Sequence, residues 1–311
     1  MFEINNFLET LDCPSCKKKK YKIVKKSNYT SINNLNDLVS IYKSSGDELL
    51  LDQLVECNEC NFQYLNPRIK SEIIFSSYAE NEDETHILQD KLRYITFKKS
   101  VKKIIRLLKI KEIENKKFLD IGSASGICLK AIKDLGFQEE GYEPSKWMVN
   151  YGRNKYQVNL KSGTINDVNI NNKYDLISLW DVLEHVTDLN ETLIKIKALS
   201  KNQTILIINV PNIDSLVCKL MKTKWPFYLN VHLYYFNRNT IESILNKYDY
   251  SLIENFSHWQ FLELGYLFRR AKKYFGLFSI LEKAINLLKL SSLPVPYNLG
   301  QTTFIFQKND E

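Results

Sequence analysis

The chain has 311 residues, 44% of them hydrophobic and 25% charged, with a net charge of +7. That length buries a full core and carries one large domain plus a small one, and the composition is ordinary for a soluble globular protein. No run approaches the ~18 uninterrupted apolar residues of a spanning helix, and the stretch from Met1 lacks the basic and apolar regions of a signal peptide, so a cytoplasmic location is expected.

Residues 1–68 hold two Cys-x-x-Cys pairs, Cys13 with Cys16 and Cys57 with Cys60. In a reducing compartment such pairs read as metal or redox chemistry and not as a disulfide framework. Four thiolates would close the coordination sphere of a structural Zn²⁺, which disfavours catalytic zinc; redox pairing is the alternative. Residues 17–56 between the pairs exceed the usual ~15–20, so an insertion is expected there. Asn61, directly after the second pair, can take a positive φ. The lysine excess, with the run Lys17 to Lys20, reads first as a solvated surface and second as a nucleic-acid or membrane patch.

Residues 69–116 read as a mostly helical linker or cap, with Ile95, Phe97, Val101, Ile104, Ile105 and Leu108 near a 3.6-residue period. From 117 to 311, apolar runs at 118–121, 174–180 and 204–210 alternate with helical stretches. One helix is expected over about 127–135, closed by Gly136, and another begins at Leu189 behind the capping residue Asp188. This alternation predicts an α/β fold, an open sheet with helices on both faces. Cys128 and Cys218 read as ordinary buried residues.

The first of these apolar runs ends in Asp120-Ile121-Gly122-Ser123-Ala124-Ser125-Gly126, a strand-to-helix loop of small residues that lets backbone approach a ligand. The next run ends at Glu143, followed by Pro144, and a carboxylate there can accept both ribose hydroxyls of an adenosine. Ile127 stands where the last glycine of a dinucleotide loop would be. Asp120 would repel a pyrophosphate, yet suits a ligand carrying sulfonium and ammonium groups. The charge logic therefore favours S-adenosylmethionine over NAD.

With these motifs, residues 117–308 resemble class I S-adenosylmethionine-dependent methyltransferases. The resemblance implies a Rossmann-like seven-stranded sheet whose last strand, about 303–306, is antiparallel. Asp120 to Gly126 match the family's first motif, except that Ala124 replaces the middle glycine, and Glu143 matches its ribose-binding acid. By the same resemblance Thr164 and Ile165 touch the adenine, Trp180 and Asp181 line the cofactor, and Leu183, Glu184 and His185 open the substrate side. Asn209 to Asn212 resemble the end of the fifth strand. The string from Cys57 through Tyr64-Leu65-Asn66-Pro67-Arg68 resembles a zinc ribbon fused to a subset of these enzymes. In such fusions the residues after the ribbon, here 78–93, often cover the cofactor. His232-Leu233-Tyr234-Tyr235-Phe236 is similar to a segment common in methyltransferases of surface-polysaccharide and other sugar-modifying pathways.

Methyl transfer is an in-line displacement that needs a base only when the acceptor must lose a proton. His185 is the first candidate, with Glu184 orienting it or joining a metal site; its other reading is a histidine bracing the turn. His232 sits in the aromatic segment 224–236, which reads as a lid over a ring-shaped acceptor or as a hydrophobic loop packed on the sheet. His86 and His258 read as surface histidines. At about 262–290 apolar residues recur at helical spacing opposite Arg269, Arg270, Lys272 and Lys273, giving one helix or two broken near Gly276. They pack over the site or approach an anionic bilayer or a lipid-linked acceptor. The expected acceptor is a small or lipid-linked sugar of a cell-surface polysaccharide pathway. One rival is an RNA methyltransferase gripping phosphates through the ribbon, against which the chain shows no Asn-Pro-Pro-Tyr-type motif and no dense basic and aromatic stripe. The other is a non-catalytic module that keeps only the fold. The oligomeric state is left open.

Overall fold

The computed structural model describes residues 3–42, 50–74, 87–271 and 277–310. His86, the cofactor-covering stretch expected over 78–86 and the helix break expected near Gly276 lie outside them.

The central sheet follows from buried apolar runs separated by capped helices. Its strands are β4 (Lys117–Ile121), β5 (Gln138–Glu143), β6 (Leu160–Ser162), β7 (Tyr174–Trp180), β8 (Ser200–Pro211), β10 (Tyr250–Ser257) and β13 (Gln301–Lys308), with order β10-β13-β8-β7-β4-β5-β6. Strands β4 to β8 are parallel, and β13 runs antiparallel between β8 and β10. This is the expected α/β, Rossmann-like seven-stranded sheet with its last strand antiparallel. Residues on β4, β7 and β8 alternate between two apolar layers: Leu119, Ile177, Leu179, Leu206 and Ile208 in one, Phe118, Leu176, Trp180, Ile205 and Ile207 in the other. A sheet covered on both faces needs this continuous apolar run.

Helices α1 (Asp90–Leu107) and α2 (Ile127–Lys133) pack against each other, and Val101 and Ile104 of α1 enter the second layer. The N-termini of α3 (Lys146–Tyr156), α4 (Leu189–Leu199) and α5 (Arg238–Asn246) are capped by Ser145, Asp188 and Asn237. Each cap satisfies amide groups that the first helical turn leaves unpaired.

The N-terminal module forms a second sheet from β1 (Tyr21–Lys25), β2 (Leu54–Cys57) and β3 (Gln63–Leu65). Its fourth strand, β9 (Tyr234–Tyr235), comes from the aromatic segment and pairs antiparallel with β3. Cys13, Phe62 and Tyr64 share one apolar cluster with Leu179 and Leu193 of the central layer. Arg68 is buried, donating to Glu9, to the Tyr234 hydroxyl and to the Thr187 carbonyl. The module and the central sheet are therefore continuous in packing and in hydrogen bonding.

Near the C-terminus β11 (Gln260–Glu263) pairs with β12 (Pro294–Tyr297), a ribbon the sequence pattern does not reveal. Prolines at alternate positions are tolerated because β12 has only one partner. Between them lie α6 (Leu264–Ala271) and α7 (Leu277–Leu287), in contact through Phe268 and Phe278.

Candidate active site

The loop 122–126 is a sharp turn built on left-handed backbone. Gly122 and Gly126 have φ of 68° and 74°, and a Cβ on Gly122 would lie 2.5 Å from Val182 Cγ2. Only glycine meets both demands. Ala124, the departure from the family pattern, also takes a positive φ of 46°. Its strain is countered by Glu143, whose Oε2 accepts the Ala124 amide at 3.0 Å while Oε1 accepts the Ser145 amide at 2.9 Å. Burial pushes the Glu143 carboxyl above its ordinary range, and these two amides oppose the rise. Glu143 thus ties the loop to the end of β5, a role beyond the ribose contact expected of it. Each oxygen keeps lone-pair capacity for a further donor.

Asp120 lies beneath the loop, buried, with Oδ1 accepting the Ser178 hydroxyl. Burial raises its carboxyl to about 7. Two residues without a sequence signal complete the wall. Asp90, at the start of α1, accepts from Ser125 Oγ at 3.0 Å and from the Tyr156 hydroxyl at 2.7 Å, so α1 and α3 both clamp the loop. A Cβ on Gly152 of α3 would lie 2.4 Å from the Ser125 carbonyl oxygen.

At the end of β7, Asp181 has a φ of 55° and accepts from Asn209 Nδ2 at 2.6 Å and from Gln301 Nε2 at 2.7 Å. Burial raises it to about 6, opposed by those two hydrogen bonds and by the charge of Arg93. The buried Arg93 Nε has no hydrogen-bond partner. Trp180 packs edge-on against Phe97 and beside His258, and its indole nitrogen is likewise unpartnered. The surface reading of His258 is wrong. It is 2% exposed, because the β10–β13 ladder carries it under Trp180. Thr164 caps a short turn over Ile165–Asp167, and its hydroxyl accepts the Asn166 amide; Ile165 is buried beside it and Pro144 is half-buried.

Glu184, His185 and His232 converge beyond β7, their ligand atoms all within 4.8 Å of one another. Glu184 is 1% exposed, and neither carboxylate oxygen has a hydrogen-bond partner. His185 Nδ1 donates to the Val231 carbonyl and His232 Nδ1 to the Phe227 carbonyl, each at 2.8 Å. A carbonyl only accepts, so the protonated nitrogen in both rings is Nδ1. The rings meet edge to face with centroids 4.7 Å apart. Burial lowers His185 to about 4, and burial followed by the neighbouring His185 lowers His232. Burial, then the charge of Asp181, raises Glu184.

The aromatic segment is no free lid. Trp225, Tyr235 and Phe236 are fully buried, and the chain is pinned from both sides. The Leu50 and Leu65 amides donate to the Tyr228 and Leu233 carbonyls, and the Leu233 amide donates to the Glu184 backbone carbonyl. The side-chain oxygen of Asn230 accepts the Leu51 amide at 2.6 Å. Alternating large aromatics over two strand residues found a facing edge on β3, which a single sequence does not disclose.

The four cysteine sulfurs gather at the tip of the N-terminal sheet, with Cys13–Cys60 and Cys16–Cys57 at 3.6 and 3.4 Å. Lys17 and Asn61, one residue beyond each pair, take positive φ of 61° and 57°, so each pair folds back on itself. Tetrahedral thiolates at ~2.3 Å from zinc would stand ~3.8 Å apart.

Against known proteins, the family model of a methyltransferase domain matches residues 89–255. The chain belongs to the methyltransferase-domain family. The match begins beside Asp90 and runs through the loop, Glu143, Asp181, the Glu184 cluster and His232. Within this family the chain is 25% identical over 101 residues to a ubiquinone biosynthesis O-methyltransferase of Rhodopseudomonas palustris strain HaA2, which is 31% of this chain and 40% of that protein. The chain thus spans well under half the length of that relative. A methyltransferase of Archaeoglobus fulgidus is similar in structure at 17% identity and a TM-score of 0.48, covering 73% of this chain and 100% of that one. Magnesium protoporphyrin IX methyltransferase from Synechocystis is similar at 15% identity and a TM-score of 0.46, covering 74% and 89%.

Proposed function

We propose that this protein transfers a methyl group from S-adenosylmethionine to a small or lipid-linked acceptor, with a sugar of a cell-surface polysaccharide pathway as the expected substrate class. The observation that carries the reading is the loop 122–126 held against Glu143, with Asp181 and the Glu184 cluster at the same edge of the sheet. Bound there, S-adenosylmethionine supplies a methyl group on an already excellent leaving group. The protein's task is to align the acceptor and exclude water.

The residues fit that cofactor. Glycine at 122 leaves room for backbone contact, Glu143 can accept ribose hydroxyls, and Ser123, Ala124 and Gly126 shape the turn. Thr164, Ile165 and Pro144 border the adenine side. Asp120 and Asp181 bring negative charge toward a cationic ligand, and the unpartnered Arg93 Nε suits its carboxylate. Trp180 closes the wall. Glu184, His185 and His232 form the acceptor side, where neutral imidazoles can accept a proton. The four cysteines hold a structural Zn²⁺. A lipid-linked acceptor is supported by the end of α7, where Leu287 is 84% exposed and Leu288 is exposed beside it. Among the described residues no helix is long and apolar enough to cross a membrane.

Deuteromethyl-labelled S-adenosylmethionine, incubated with the protein and fractionated glycan and lipid extracts, tests this by mass spectrometry. Label in a sugar-bearing fraction, lost with Gly122→Val, is expected. Label confined to RNA would replace the acceptor class. No cofactor binding by calorimetry at millimolar concentration would end the transferase reading.

A further inference from the structure

We propose that Glu184, His185 and His232 form a binding site for one divalent cation of the Zn²⁺, Mn²⁺ or Fe²⁺ type, separate from the cysteine cluster. Three observations converge. The ligand atoms of the three side chains lie within 4.8 Å of one another, so a small inward shift brings them under the ~4.4 Å that two donors can span on one ion with bonds of ~2.2 Å. Each imidazole donates its Nδ1 proton to a backbone carbonyl, at Val231 and Phe227. That arrangement puts the lone pair on Nε2 and holds the ring in place, as metal-ligating histidines require. Glu184 is buried with no donor to either oxygen, although buried polar groups are otherwise almost always paired. A cation removes that cost.

The donor set is two imidazoles and one carboxylate, which leaves coordination positions open for substrate or water. The four cysteines, by contrast, fill a tetrahedral sphere completely. The first cluster is accordingly suited to act on an acceptor and the second to hold the fold. The fixing carbonyls belong to residues 227 and 231 of the segment that the N-terminal module pins, so the site is pre-organised by that module. An acceptor oxygen seated in an open position would release its proton to water more readily, because the cation stabilises the resulting anion. With the ion present the imidazoles serve as ligands, and proton removal no longer falls to them. This use of the cation rests on the transferase reading above; the binding of the ion does not.

Mn²⁺ separates the two clusters, because thiolates bind it poorly relative to nitrogen and oxygen donors. The full-length protein is titrated with Mn²⁺ and free ion is followed by its electron paramagnetic resonance signal. About one bound equivalent is expected, with at least a tenfold loss of affinity in Glu184→Gln and in His232→Gln. Mn²⁺ should also raise the melting temperature of the parent protein and leave that of Glu184→Gln unchanged. Calorimetry with S-adenosylhomocysteine on the same samples reports the cofactor site. Retained cofactor binding without Mn²⁺ uptake at millimolar ion, or equal uptake by parent and both variants, overturns the cation site alone. Mn²⁺ uptake without cofactor binding overturns the transferase reading and leaves the cation site standing.

Discussion

Asp120 carries a charge whose presence depends on pH in the working range. Burial lifts its carboxyl to about 7, so it is largely neutral below that value and ionised above it. A cationic ligand is attracted only to the ionised form. Affinity for S-adenosylmethionine should therefore rise from about pH 6 to about pH 8, by roughly tenfold if the ionised form alone binds. Calorimetry at the two pH values checks this, and Asp120→Asn should flatten the dependence. An equal slope in the variant would assign the titration elsewhere. The neighbouring Ala124 shows how one residue's departure is absorbed by another. Its methyl group puts strain on a left-handed backbone that glycine would adopt freely, and a carboxylate oxygen of Glu143 holds the strained amide in place.

At the scale of elements, the site depends on close approaches between helices and loops. Helix α3 can reach the loop only because Gly152 has no side chain. Gly152→Val should push the helix off the Ser125 carbonyl and weaken S-adenosylmethionine binding by at least tenfold, measured by calorimetry, while far-ultraviolet circular dichroism keeps its shape. The insertion between the cysteine pairs is anchored differently. Asp52 is fully buried and accepts the hydroxyls of Tyr29 and Tyr42. Burial raises its carboxyl from 3.8 to about 6. The folded state then holds a proton that the unfolded chain releases at lower pH. This contribution to stability is full below the unfolded value and is lost as pH rises through about 6. Relative to Asp52→Asn, the parent protein should lose roughly 2 kcal/mol between about pH 4 and about pH 7 in urea titrations. A constant difference between the two proteins would rule out this group.

For the whole molecule, the consequence of β9 is that a segment of the methyltransferase domain completes the sheet of the N-terminal module. Stripping the zinc proposed for the cysteine cluster should therefore be felt beyond the module. We expect hydrogen exchange at Tyr234 and Tyr235 to accelerate by at least tenfold on chelation, together with the segment around His232. Amides of β4, β7 and β8, deep in the sheet, should stay protected. Acceleration confined to residues before 69 would mean that the two parts behave independently.

Local pattern by itself determined three strands of the sheet and one helix start, because a strand buried on both faces must be apolar throughout and a side-chain cap satisfies the first helical amides. Residues 118–121, 174–180 and 204–210, the cap at Asp188 and the left-handed Asn61 were legible for those reasons. So were the glycine loop and its distant acid, since close backbone approach and opposite charge leave few residue choices. Tertiary structure alone decided what each histidine faces. His258 lies beneath Trp180 because β10 and β13 pair across a long separation in sequence, and His232 meets His185 because β9 joins the N-terminal sheet. Asp90, Gly152 and Gln301 were silent for the same reason: a short-range pattern carries no record of a neighbour brought close by folding.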